Sequence, residues 1–282
     1  MEKVYLQIYS FGNEREMTME EKLEAAGKMG YAGVEYAGGY GGLTADEMKK
    51  ALAANGLTAV SSHTQMGSIV NDLPYLAEVG VKMIICPMFP FANKAEALAC
   101  AARLNQIGKK TMEKGIKVGY HNHTTEFCQD NGKYLLDYVI ENTDPDNVVF
   151  QLDCGWASAA GIDPVAYIQK HAGRFMSVHV KENGAVIGPG VARSATDKTP
   201  PFPVDEKGRP VFTEEMKKAM EERGKLNVPT GSGIVDWKAV KAAADAQCDD
   251  VIYIVEREWS YNEPKDRIAC LTADCAWLKA NL

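Results

Sequence analysis

Eight short apolar runs, each separated from the next by a longer intervening stretch, are the feature of this 282-residue chain that most narrows what it can fold into. The runs are VYLQIYS, GVEYA, TAVSSH, KMIICP, KVGYHNH, VVFQLDCG, MSVHVK and VIYIVER. They are continuous and rich in Val, Ile and Tyr, as strands buried on both faces are. The stretches TMEEKLEAAGKMG, TADEMKKALAANG, DLPYLAEVG, KAEALACAARLNQIGKKTMEKG and DPVAYIQKHAG carry helical patterning, several with apolar residues at three-and-four spacing and a glycine just past the end. Thr44 stands where an N-cap is needed, with acidic residues following it in the first turn. Alternating β and α units imply a parallel sheet, and eight such units close into a (β/α)8 TIM barrel. A doubly wound sheet has the same alternation, but no GxGxxG follows the first run. A single domain over residues 1–282 is the expectation.

One segment breaks the rhythm. From Glu182 to Lys225 the chain is rich in Gly and Pro and lacks a buried-type strand, so it reads as a long loop between strands seven and eight with one helix of its own, TEEMKKAMEERG. Long loops in compact domains are often functional covers, and this one is expected to lie near the site and set substrate size. VPTGSGIVDW then closes the loop, with Asp236 as a cap or turn residue.

Composition excludes several function classes. A formal net charge of -7 disfavours a sequence-independent grip on nucleic acid, which needs a basic surface. Seven cysteines without CxxC spacing read as reduced core thiols, which favours the cytoplasm. The beginning MEKVYLQIYS enters a strand-like run with no basic segment and apolar h-region ahead of it. No apolar run approaches the roughly 18 residues of a membrane span. A small-molecule ligand fits these bounds, with no nucleic acid or membrane as partner; a homo-oligomer is compatible with them.

In a barrel of this kind the active site forms at the C-terminal ends of the strands. The polar residues expected there are Glu35 on strand two, His63 on three, His121 and His123 on five, Asp153 on six, His179 and Lys181 on seven, and Glu256 on eight. Four of the five histidines therefore gather at one rim. The fifth, His171, follows a helix end, where a surface or dipole-facing role is expected. A mixed imidazole and carboxylate cluster suits one divalent transition metal: Mn, Co, Fe or Zn. Within YHNH, His121 and His123 share a face of the strand, so one can bind metal while the other faces substrate. Gln151 and Asp153 likewise share a face, and Gly155 and Trp156 open the following loop. Trp156 and Lys181 are candidates for substrate contact, through an aromatic face and a cation. The glycine-rich loop after Glu35 reads as a flexible turn, lacking the GxxxxGK[ST] pattern of a phosphate cradle.

These segments together resemble the sugar phosphate isomerase/epimerase family with xylose-isomerase-like barrels. The resemblance rests on LQIYS, GYAGVEYAGGYGGLTADEMKKAL, VSSHT, GYHNHTTEF, QLDCGW, VHVKEN, VPTGSGIVDWKAV and VIYIVEREW, and so runs over nearly the whole chain. It implies one divalent metal, most often manganese, held by Asp153, His179, Glu256 and a strand-five residue. Ketose epimerases of this family have Glu at that last position. Here the implied replacement is His121, which leaves Glu256 alone of the two glutamate bases.

The expected activity is that of a metal-dependent sugar isomerase or epimerase, which abstracts a proton next to the carbonyl of a small sugar or keto-sugar. Glu256 is the expected base, with His123 or His63 returning a proton; Glu35, Glu126, Lys181 and Trp156 are the candidates for substrate contact. A metal-dependent lyase acting on inososes or 3-oxo-glycosides is the alternative. A non-catalytic sugar-binding barrel is the alternative of another class.

Overall fold

The computed structural model describes residues 1–12, 17–197, 203, 205, 211–224, 226–248, 250–258 and 264–282. Eight strands close a barrel in chain order, with every neighbouring pair parallel. They are β1 (Tyr5–Gln7), β2 (Gly33–Ala37), β3 (Thr58–His63), β4 (Met83–Cys86), β5 (Lys117–His121), β6 (Val148–Asp153), β7 (Phe175–Val180) and β8 (Ile252–Val255). The helices are α1 (Met19–Lys28), α2 (Ala45–Ala54), α3 (Ile69–Val79), α4 (Lys94–Met112), α5 (Leu135–Glu141), α6 (Cys154–Ala159), α7 (Pro164–Lys170), α8 (Glu214–Gly224), α9 (Trp237–Gln247) and α10 (Pro264–Asn281). A two-residue-per-strand hairpin, Gln129–Asp130 against Lys133–Tyr134, sits between β5 and α5. Among the described residues no helix is long and apolar enough to cross a membrane.

Local chemistry fixes where the helices begin. Thr18 and Thr44 each accept from the third amide of α1 and α2, while Glu21 and Glu47 reach back to the cap amide, so two otherwise unpaired donors are satisfied at each start. Asn93 caps α4, Asp163 caps α7 ahead of Pro164, and Asp236 caps α9 as the sequence leads one to expect. Gly80 ends α3 at φ 95°, a left-handed conformation that glycine adopts without penalty.

The barrel interior has two levels. Val60, Met83, Ile85, Val149, Ile252 and Ile254 form an apolar plug separate from the larger core between sheet and helices. Above the plug the inward residues turn polar: Gln7, Glu35, Ser61, Gln151 and His179 are all at most 1% exposed. Two register shifts make this possible. One lies between Val34 and Glu35 against β3, the other between Phe150 and Gln151 against β7. At the first, consecutive residues both serve the interior, Val60 in the plug and Ser61 bonded to Glu35, which a regular alternating strand forbids. At the second, Met176 packs on the plug and the neighbouring Ser177 donates toward Met83 Sδ.

Several local expectations are corrected. β1 stops at Gln7 and gives way to a 3-10 turn, Ile8–Phe11, because the Gln7 side chain accepts from the Tyr9 amide and caps it. Glu35 does not end β2; Tyr36 and Ala37 continue it, which leaves Glu35 in mid-strand. Gly155 and Trp156 open a helix, α6, capped by Asp153, rather than a loop. His171 is buried beside α5, its Nε2 2.8 Å from Asp137 Oδ1, instead of facing solvent.

The segment 182–225 does contain its helix, α8, although residues 198–202, 204, 206–210 and 225 lie outside the described residues. Residues 187–194 are tied to the end of α6 and the start of α4. The Ile187 and Gly188 amides donate to Ala159 O, and Ser194 Oγ donates to Glu96.

Candidate metal and active site

At the C-terminal mouth, His121, Asp153, His179 and Glu256 each offer a ligand atom within 4.8 Å of the others. They come from β5, β6, β7 and the residue after β8. The parallel register brings them together, since Asp153 pairs with His179, and His179 with Ile254 two residues before Glu256. His63, His121 and His179 form a second group within the same span.

Hydrogen bonds separate the two groups. Glu35 is fully buried and accepts from Gln7 Nε2 (2.7 Å) and His179 Nε2 (2.6 Å) on one oxygen, and from Ser61 Oγ (2.6 Å) and Gln151 Nε2 (2.8 Å) on the other. His179 Nε2 is thereby committed, and its Nδ1 faces Glu256 Oε2 at 2.9 Å and Asp153 Oδ2 at 3.9 Å. Gln151 donates to Glu35, so its amide oxygen is left to accept from His63 Nε2 (2.7 Å) and His121 Nδ1 (3.1 Å). The unprotonated nitrogen of His121 is then Nε2. One buried amide thus sets the tautomers of His63 and His121, and one buried carboxylate fixes the orientation of His179. In the His63 group, His63 Nε2 and His179 Nε2 are committed to Gln151 and Glu35, whereas the group with Asp153 and Glu256 presents His121 Nε2, the carboxylate oxygens and His179 Nδ1, whose proton a cation would displace.

Charge balance bears on the same group. Burial pushes Asp153 up to about 8, reinforced by the neighbouring Glu256. Burial also opposes ionisation of Glu256, but Lys181 and His179 outweigh it and hold Glu256 well below the usual range. Burial would neutralise His179, yet Glu35 and Glu256 on either side raise it to about 10. Glu35 is also opposed by burial, but His63, His179 and the bonds from His179 and Ser61 bring it down to about 2. His121 is pushed well below 6.5 by burial and the neighbouring His179 and His63, which keeps its imidazole neutral. The protein's own groups stabilise only one of the two mouth carboxylates as an anion. Asp153 Oδ1 accepts from the Trp156 amide at 2.7 Å, and Oδ2 is buried with no hydrogen-bond partner. A buried carboxylate oxygen without a donor, beside a neutral imidazole and a second carboxylate, fits a divalent cation.

A cavity of about 600 Å³ opens above this group, with His63, His121, His123 and Glu256 in its wall. His123, 26% exposed at its side chain, lies 5.0 Å from His121 ring to ring, and its Nδ1 is buried without a hydrogen bond. The other sequence candidates stand back from the cavity. Glu35 lies beneath it, every accepted bond coming from protein, because the strand continues past it. Glu126 is buried in the 3-10 turn Thr125–Phe127, accepting from Tyr120 OH at 2.9 Å and from the His123 amide at 3.0 Å; it holds the His123 backbone in place. Lys181, 1% exposed, sits 4.8 Å over the Trp156 ring and 3.3 Å from Glu258, and neither Lys181 nor Trp156 lines the cavity. The described residues of 182–225 do not line it either. Sequence reasoning singled out neither Gln7, Ser61 nor Gln151 for a site role; the available signal was the shared face of Gln151 and Asp153.

The family model for the xylose isomerase-like TIM barrel matches residues 23–281. An inosose dehydratase from Geobacillus thermodenitrificans is 25% identical over 272 residues, covering 86% of this chain and 83% of that protein. Among solved structures, a sugar phosphate isomerase/epimerase from Parabacteroides distasonis superposes with a TM-score of 0.74 at 22% identity, covering 99% of this chain and 98% of the other. The IOLI protein with a zinc atom superposes at 0.68 and 14% identity, covering 99% and 100%. By strand order, by mouth-facing residues and by the extent of this match, the chain belongs to the xylose isomerase-like TIM barrel family.

Proposed function

We propose that the protein is a divalent-metal-dependent isomerase or epimerase that abstracts a proton next to the carbonyl of a small keto-sugar. The observation that carries this reading is the buried four-residue group of His121, Asp153, His179 and Glu256, with Asp153 Oδ2 unpaired, at the floor of the cavity. The metal would be held by His121 Nε2, Asp153 Oδ2, His179 Nδ1 and Glu256. Manganese suits this mixed set, and Zn, Co or Fe also fit it. When bound, the cation supplies Lewis-acid polarisation of the carbonyl.

The chain's own groups supply the proton handling. Glu256 reaches the cavity wall and is held anionic by Lys181 and His179, as a base must be. His123, beside His121 and open to the cavity, returns a proton, with His63 as the second such group. Glu126 fixes the His123 amide, Gln151 keeps His63 and His121 in their tautomers, and Glu35 fixes the orientation of His179.

Elimination is the second reading, favoured by the inosose dehydratase relatives and by the imidazole at strand five. With one carboxylate base, a histidine then protonates a departing hydroxyl instead of the opposite carbon face. Both readings are tested by incubating the manganese-loaded protein with a 3-keto-sugar and with an inosose in deuterated water. Deuterium in a recovered epimer supports epimerisation, a dehydrated product supports elimination, and Glu256→Gln should abolish either. No label and no dehydration with any keto-sugar would overturn the proposal.

A further inference from the structure

The cavity is lopsided. All four residues of the candidate metal group lie on β5 to β7 or directly after β8, yet twelve of the sixteen described lining residues belong to the ends of β1 to β4 or to the segments that follow them. Its volume, about 600 Å³, corresponds to roughly twenty waters at their liquid volume of about 30 Å³ each. A six-carbon sugar, with about twelve heavy atoms, leaves much of that space over β1 to β4 unfilled. The volume lies within the roughly 300–1,000 Å³ range of pockets that enclose larger ligands.

The walls of the far half have a definite chemistry. Tyr40 is locked: its ring stacks on Tyr75 at 4.4 Å and 26°, meets the edge of Tyr36 at 5.6 Å, and its hydroxyl lies 3.1 Å from Asp72 Oδ2. Tyr9 and Met88, at the ends of β1 and β4, are 49% and 57% exposed, large apolar side chains left uncovered at a cavity. Asp72 adds a carboxylate to this half, Glu258 after β8 stands on the other side of the cavity, and among the described residues the lining has no lysine or arginine. Aromatic rings and a methionine sulfur favour a flat apolar group, while the Asp72 carboxylate and the absence of a cationic side chain disfavour a phosphate or a second carboxylate.

We propose that the β1–β4 half of the cavity is a second subsite for an uncharged aromatic group carried on the sugar, so that the substrate is an aryl-substituted keto-sugar rather than a free or phosphorylated one. Tyr9, Tyr40 and Met88 hold the ring, and Asp72 accepts from a hydroxyl on it. This rests on the proton-abstraction reading above.

The test compares 3-oxo-glucose, its phenyl glycoside and its 6-phosphate as substrates of the manganese-loaded full-length protein, scored by solvent deuterium entering the carbon next to the ketone. The phenyl compound should exceed the free sugar at least tenfold in kcat/KM, the phosphate should fall below it, and Met88→Ala or Tyr9→Ala should reduce the phenyl-to-free ratio about tenfold. Both side chains are exposed, so these variants leave the core packed. Exchange with equal rates for the first two, or a preference for the phosphate, overturns the subsite and leaves the proton-abstraction reading standing. Exchange with none of them defeats that reading instead. Calorimetric binding of phenyl β-glucoside, which has no ketone, then decides the subsite separately: binding tighter than glucose and weakened by Met88→Ala supports it, and equal binding refutes it.

Discussion

Exchanging Glu35 for glutamine keeps the shape of a fully buried side chain and changes only its hydrogen-bonding character. The carboxylate accepts four bonds, from Gln7, His179, Ser61 and Gln151, at 2.6–2.8 Å. A glutamine offers one accepting oxygen and one donating amino group; with the amino group toward Ser61, whose hydroxyl can turn to accept, the Gln151 amide still faces another donor. Leaving that one buried donor unsatisfied costs about 1–3 kcal/mol. At about 2–4 °C per kcal/mol for a domain somewhat smaller than this one, the midpoint of unfolding should fall by about 2–12 °C. The same change removes the anion that fixes His179, and loss of such an outer partner weakens metal binding by about 10–100-fold. Thermal melts by circular dichroism, without metal, and manganese titration against a competing chelator read the two effects. Ser61→Ala, which removes one donor, should show a smaller fall in both. A Glu35→Gln protein with unchanged midpoint and unchanged manganese affinity would refute the claim that Glu35 organises the site from below.

Two further predictions concern the scaffold. Burial works against ionising Asp137, but bonds from His171, Lys170 and Tyr167 outweigh it and hold its carboxyl at about 2. A depressed folded-state pKa means stability that is present above the unfolded value, near 3.9, and is lost as pH falls toward 2; the stability gap between the protein and Asp137→Asn should therefore narrow across that window, and a gap independent of pH would count against the pairing. A Cβ at Gly155 would lie 2.3 Å from the Lys181 carbonyl oxygen, a backbone atom that cannot rotate away. Gly155→Ala should cost about 1–3 kcal/mol and weaken metal binding by shifting the start of α6 and its cap Asp153, both read by the same melts and titrations; wild-type values for both would contradict the close packing.

The barrel and its rim were legible because both depend on local signals. Continuous apolar runs mark buried strands, and a polar residue closing such a run falls at the mouth, as His63, His121 and Asp153 do. What stayed hidden depends on register. The shift on β3 lets the consecutive residues Val60 and Ser61 both serve the interior, so a strict two-residue period misassigns one of them. Glu35 looked like a rim residue because the strand was read as ending there, and its depth is set by Tyr36 and Ala37 continuing the ladder with β3. Gln151 reads as an ordinary strand residue until the barrel closes and brings His63, 88 positions away, to its amide. His171 likewise owes its burial to Asp137, 34 positions earlier, which no local pattern announces.

The central claim is that a divalent cation belongs on His121, Asp153, His179 and Glu256. It is tested most directly by elemental analysis of the protein purified after growth with added manganese, alongside His121→Ala and Asp153→Asn prepared identically. The account predicts about one equivalent of metal per chain in the unmodified protein and a large loss in both variants, each still folded by circular dichroism. Equal metal in all three, or none in the unmodified protein even after manganese is added back, would contradict it.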